Sequence, residues 1–189
     1  MAAGNDSGPS TGGGPTYRIS VKRESAGQVS SYLHDQLLRG DEIEVAAPRG
    51  EFVLDDSPDP VVLISAGIGA TPVLAMLHEL AETGTSRDVW WIHATQTRDT
   101  LAFAGEVEKL LALLPTARSR FFLSDDQPPL PPGLEAGRLS TDVVAALGCR
   151  GTHRSTCADH TVHGPDDRRA GCRRSGTGQD PHRTVRVGF

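Results

Sequence analysis

The residues with the clearest chemical potential are Ser65-Ala-Gly-Ile-Gly-Ala-Thr-Pro72. They follow the apolar run Val61-Val-Leu-Ile-Ser65 and open a segment of helical spacing, Val73 to Ala81. Gly67 and Gly69 have no Cβ, so the backbone there can turn tightly and come close to a ligand. The helix after Thr71 would present unpaired N–H groups and a positive dipole end, which together suit a pyrophosphate. Pro72 fits the first helical turn, where its missing N–H costs nothing. The same residues also suit a tight strand-to-helix turn with no ligand. Pro72 stands where a dinucleotide fingerprint has its third glycine, and Gly-x-Gly spacing alone does not decide between the two readings.

The elements around this loop read as follows. Tyr17-Arg-Ile-Ser-Val-Lys-Arg23 alternates and is β-rich, so it predicts a strand; Ser31 to Leu38 has helical spacing, with Gly40 as its left-handed cap. Glu42 to Ala46 and Glu51 to Leu54 predict short strands, and Asp55 to Pro60 predicts a linker. Val61 to Ser65 and Val89-Trp-Trp-Ile-His93 are continuous apolar runs, the mark of strands buried on both faces. Val73 to Ala81 and Phe103 to Leu114 predict helices; Arg120 to Leu123 predicts a third strand, and Ser140 caps a last short helix ending at Leu147. Strands alternating with helices of this length imply a parallel α/β sheet.

Composition bounds the rest. The chain has 189 residues, 37% of them apolar and 23% charged, which suits a globular protein. No apolar run approaches the ~18 residues of a membrane span. Met1 to Pro15 is a Gly/Ser/Pro-rich leader without a basic and apolar signal, so a cytoplasmic location is expected. The average conceals a break. Residues 1–148 hold 11 Lys/Arg and 20 Asp/Glu; residues 149–189 hold eight Arg, four Asp and no Lys, Leu, Ile, Met or Glu. All three cysteines lie in that tail. Such a segment cannot bury enough apolar surface to offset its ordering entropy, so it is expected to be disordered.

Five motifs occur in fixed order: Tyr17-Arg-Ile-Ser-Val-Lys-Arg-Glu24; Gly27-x-x-Ser-x-Tyr-Leu33; Gly40-Asp41; Ala47-Pro-x-Gly-x-Phe52; and Ile64-Ser-Ala-Gly-Ile-Gly-Ala-Thr-Pro-x-Leu74. Over Tyr17 to Leu147 the chain resembles the ferredoxin–NADP reductase superfamily, and most nearly the reductase portion of flavohaemoglobins and of MOSC-linked or ferredoxin-linked bacterial oxidoreductases. The resemblance implies an FAD-binding β-barrel followed by a pyridine-nucleotide domain. Hydride would pass from NAD(P)H to flavin and electrons onward to a haem, an iron–sulfur centre or a soluble acceptor. By the same resemblance Ser20, Val21 and Lys22 line the FAD site, and Gly27, Val29 and Ser30 hold the flavin cofactor's phosphates. Gly67, Gly69, Thr71 and Pro72 form the nicotinamide-nucleotide loop, and His93, Thr95, Thr97 and Arg98 lie where the adenosine half rests. Arg98 suits a 2′-phosphate, and equally a solvated loop.

The expected architecture is therefore α/β: a leader over 1–15, an incomplete antiparallel FAD-type barrel remnant over 16–56, a parallel α/β NAD(P)-binding domain over 60–148 and a disordered tail over 149–189. The superfamily's Arg-x-Tyr-Ser motif does not precede Tyr17, and its Cys-Gly-Pro strand end does not follow Leu147; His163-Gly-Pro165 only mimics the latter. These departures suggest a truncated chain that holds FAD weakly or not at all. The tail's Cys149, His153, Cys157, His160, His163 and Cys172 lack metal-site spacing, so no metal is expected. Its arginines lack the aromatic interleaving of a nucleic-acid module. The tail reads best as translation in a shifted frame. The expected partners are a nicotinamide nucleotide and an electron-acceptor protein or domain, with neither nucleic acid nor membrane. The rival function is a non-enzymatic nucleotide-binding remnant or an inactive truncated product.

Overall fold

The computed structural model describes residues 2–5, 17–46, 52–146, 154–157 and 182–186, which fall into two compact units. The first begins with β1 (Ala2–Asn5) and β2 (Tyr17–Ser20), paired antiparallel with Ala2 opposite Ser20. Helix α1 (Gln28–Asp35) and β3 (Glu42–Ala46) follow. Strand β2 stops three residues short of the expected end. The Val21 carbonyl accepts a hydrogen bond from His34 Nε2 at 2.9 Å, and Arg23 forms a two-pronged ion pair with Asp35 at 2.5 and 2.8 Å. Helix α1 starts and ends three residues before the expected span. Gly27 caps its start, its carbonyl accepting from the Ser31 N–H at 3.0 Å, while Asp41 Oδ2 takes the Leu38 N–H at 2.8 Å. Gly40, at φ +98°, thus serves the turn into β3 and does not cap the helix. Of the strand expected at Glu51 to Leu54, residues 52–54 have no regular structure and residue 51 lies outside the described residues.

The second unit holds the parallel sheet. Its elements in chain order are β4 (Val61–Ala66), α2 (Ala70–Glu82), β5 (Val89–Thr95), α3 (Ala104–Leu111), β6 (Ala117–Leu123), β7 (Leu134–Ala136), α4 (Thr141–Ala146) and β8 (Arg154–Cys157). The spatial order is β7-β6-β5-β4-β8, with every pairing parallel. The direction of winding reverses at β4, because β5, β6 and β7 extend to one side of it and β8 to the other. In the first unit, β9 (His182–Arg186) pairs antiparallel with β3, Glu42 opposite Arg186.

Burial explains the sheet. Strand β4 is buried from Val61 to Ile64 on both faces, and β5 buries Val89, Trp91 and Ile92. On one face Val61, Leu63, Val89, Trp91 and Phe121 meet α2 and α3; on the other Val62, Ile64, Ile92 and Phe122 meet Leu139, Val143 and Val144. Helix α2 is built of strong helix formers and turns Val73, Leu74, Met76, Leu77 and Leu80 inward. Thr83 Oγ1 donates to the Glu79 carbonyl at 2.8 Å, and Gly84 at φ +63° closes the end. His78 Nε2 meets Glu106 Oε1 at 2.8 Å and joins α2 to α3. The linker from Asp55 is held by Arg87, which donates to the Asp55 and Asp59 carbonyls at 2.9 and 2.5 Å.

The sequence shows no further strand after Leu147, yet the structure describes β8 there. Its Arg-Ser-Thr-Cys run has none of the apolar continuity of β4, and only its backbone pairing with Val61 to Ile64 makes it a strand. Apart from β8 and β9, residues 147–189 lie outside the described residues, as do 6–16 and 47–51.

Leu77→Ala should cost about 2–5 kcal/mol, the range for truncating a fully buried leucine. Leu113→Ala, on a side chain 68% exposed, should change stability by less than about 0.5 kcal/mol. Both tryptophans, Trp90 and Trp91, lie in β5, so urea unfolding followed by tryptophan fluorescence reports on this unit alone.

Candidate functional site

Strand β4 ends in extended backbone at Ala66 and passes through a single 3-10 turn, Gly67–Gly69, into α2. Gly67 takes φ +50°, a left-handed conformation costing a residue with a Cβ roughly 1–2 kcal/mol. The Ala70 N–H bonds back to the Gly67 and Ile68 carbonyls, and Thr71 Oγ1 donates to the Ile68 carbonyl at 3.3 Å. The turn is thus shaped by its own hydrogen bonds. The start of α2 has no side-chain cap and no acidic residue in its first turn, and Pro72 contributes no donor. Among the described residues no cap or first-turn acid compensates its positive end, which lies at the C-terminal edge of a parallel sheet where the winding reverses. Open α/β sheets bind ligands at that place.

The expected adenosine-side residues separate. His93 lies inside the sheet. It is 1% exposed, opposite Ser65 in the β4–β5 ladder, with Nδ1 2.9 Å from Ser65 Oγ. Its Nε2 and the neighbouring Trp91 Nε1 have no partner among the described residues, and such orphans cost about 1–3 kcal/mol each. Burial lowers the His93 pKa from 6.5 to about 4, against an opposing contribution from the Ser65 backbone. Thr95 and Thr97 do reach the edge. Their hydroxyls meet Thr100 Oγ1 at 2.8 and 3.3 Å, and Thr97 and Thr100 cap each other across a short 3-10 turn. The Arg98 N–H donates to Asp126 Oδ2 at 3.0 Å, and the Asp125 N–H to the Gln96 carbonyl at 2.9 Å. The exits of β5 and β6 are thereby joined. The role of Asp126 was not legible from sequence, because it lies 28 residues from its partner.

In the first unit, Ser20 closes β2, while Val21 and Lys22 lie beyond it, with Lys22 paired to Glu24 at 3.0 Å. Gly27 caps α1, and Val29 is exposed on that helix. Ser30 Oγ donates to the Gly27 carbonyl and accepts from the Glu24 N–H, both at 3.2 Å. A Cβ on Gly27 would collide with that hydroxyl, so the glycine has a packing reason to be there. Of the tail's cysteines and histidines, the backbone of Cys157 and His182 is described and their side chains are not; the others lie outside the described residues.

A parallel α/β sheet with a glycine turn at its switch point defines a nucleotide-binding class of domain. Residues 63–157, about half of the chain, match the family described as the oxidoreductase NAD-binding domain, and the chain belongs to that family. It is 48% identical over 131 residues to a flavohemoprotein of Deinococcus radiodurans, covering 68% of this chain and 32% of that protein. It therefore spans about a third of that relative's length. The flavohem-like FAD/NAD binding domain of nitric oxide dioxygenase from Vibrio cholerae superposes with a TM-score of 0.60 at 30% identity, over 75% of this chain and 71% of that one. An Amycolatopsis cytochrome P450 reductase gives 0.61 at 25% identity, over 71% of this chain and 41% of that one.

The buried imidazole predicts a pH effect. Its folded-state pKa lies below the unfolded 6.5, so the unfolded chain binds the proton first. His93 costs nothing in this respect above pH 6.5. Stability should fall as pH drops from 6.5 toward 4, by about 3 kcal/mol in total. Urea midpoints across that window should show this slope, and His93→Asn should remove it.

Proposed function

We propose that the chain is the reductase portion of a flavin-dependent NAD(P)H oxidoreductase, or of a protein derived from one. The observation that carries this reading is the Gly67–Gly69 turn at the reversal point of the sheet, inside the stretch matching the NAD-binding family. In this reading the backbone of Gly67 to Thr71 and the start of α2 hold the nucleotide pyrophosphate, and Thr97 and Arg98 face the adenosine end. When bound, FAD supplies the chemistry of accepting hydride from the nicotinamide and releasing electrons singly. The names of the similar proteins favour a haem-containing acceptor. The residues of this chain bind and orient.

Fit to FAD rests on the turn before α1. The helix start carries no side-chain cap and no acid in its first turn, which suits a phosphate. Ser30, however, already spends its hydroxyl within the turn. That observation favours a second reading, a nucleotide-binding protein that holds no flavin. For the boundaries, we propose a nucleotide domain over residues 60–148 completed by β8. Among the described residues no helix is long and apolar enough to cross a membrane.

Two measurements test these readings. NADH titrated into the full chain should bind, and Gly67→Val should weaken it by at least about tenfold through the forbidden φ, since a Cβ at that point meets no atom within 4 Å. Equal binding by both proteins would make the loop a plain turn. The visible spectrum of the purified protein decides the flavin: bands in the blue support the oxidoreductase, and a colourless protein that binds NADH supports the second reading.

A further inference from the structure

On the face covered by α2 and α3, the β4–β5 ladder is apolar through Val61, Leu63, Val89 and Trp91. Then, one pair before its end, it becomes Ser65 opposite His93. Both side chains are buried, joined by the 2.9 Å contact between Ser65 Oγ and His93 Nδ1. The remaining ring nitrogen of His93 and the indole nitrogen of Trp91 are unpartnered among the described residues, with ring centroids 6.4 Å apart. A buried polar pair beside two ring nitrogens that have no partner among the described residues is a poor way to stabilise a core. Replacing both members of such a pair with apolar groups of similar shape is close to neutral. Location gives the pair its meaning. Ser65 stands two residues before Gly67, where the chain leaves the sheet in a left-handed turn. Neither Ser65 nor His93 is exposed to meet a ligand directly.

We propose that the Ser65–His93 hydrogen bond positions the nucleotide loop. It ties the exit of β4 to β5 and holds Gly67–Gly69 in its binding shape before a nucleotide arrives, so that binding does not have to order the turn. Ser65 and His93 are positioning residues, acting through the backbone they fix. The inference rests on the nucleotide reading of the loop.

The test is calorimetric titration of NADH into the full chain and four variants: Ser65→Ala, His93→Leu, the double variant Ser65→Ala/His93→Leu, and His93→Asn. Each of the first two should weaken binding about tenfold, equivalent to ~1.4 kcal/mol. The double variant should bind no more weakly than either single, because one interaction is lost in all three. His93→Asn keeps a polar atom near the Nδ1 position and should restore most of the affinity. Melting temperatures should not follow this order: Ser65→Ala strands the buried His93 Nδ1 and should melt below the parent, whereas the double variant leaves no orphan from the pair and should recover stability while its affinity stays low. Ser65→Ala binding as tightly as the parent, additive losses in the double variant, or affinities ranked by melting temperature would each overturn the proposal. A parent that binds no NADH would overturn the nucleotide reading and this inference with it.

Discussion

A strand covered on both faces can be entered and left only at its ends, and β4 is such a strand: from Val61 to Ile64 hardly any side-chain surface meets water. Its neighbours β5 and β8 run parallel to it, so the chain must climb over a face of the sheet before it can return. The exit is compressed into Gly67, Ile68 and Gly69, and α2 begins at once, because Val73, Leu74 and Leu77 must lie over the sheet. That compression puts a left-handed residue, a free helix start and the reversal of strand order at one place. In the proposed reading, a phosphate cradle is a by-product of burying β4.

Each face of the sheet then has its own task. The side under α2 and α3 carries the larger core and, near the C-terminal ends of β4 and β5, the buried Ser65–His93 pair. The other side carries a smaller apolar cluster with α4, and Trp90 lies under the Arg118 guanidinium at 5.0 Å. The loops leaving β5 and β6 are joined by the Arg98 N–H to the Asp126 carboxylate and by main-chain hydrogen bonds from Ser124 and Asp125 to Thr95 and Gln96. The turn before α1 in the other unit resembles the nucleotide loop in outline but differs in its accounting, since Ser30 is already committed to Gly27 and Glu24.

What was legible in the sequence was whatever local pattern determines. The apolar runs at Val61 and Val89 marked β4 and β5 because only doubly buried strands need such runs, and the glycine turn followed from its place between strand and helix. The helix start at Gln28 was hidden because leucine spacing favoured Ser31, while the capping chemistry of Gly27 decided the matter. Strand β8 has no apolar signature, and pairing with β4 alone defines it. His93 was expected beside the adenosine half by the family resemblance; its partner Ser65 stands 28 residues away, and a hydrogen bond at that separation depends on register, which no local pattern carries. The contact between Arg98 and Asp126 was hidden for the same reason.

The most direct measurement is the amide proton–nitrogen correlation spectrum of the labelled full chain, recorded as NADH is added. The account predicts that the largest shifts fall on Gly67, Ile68, Gly69, Ala70 and Thr71, with smaller ones at Thr97 and Arg98. Shifts confined to other residues, or none at saturating nucleotide, would contradict it.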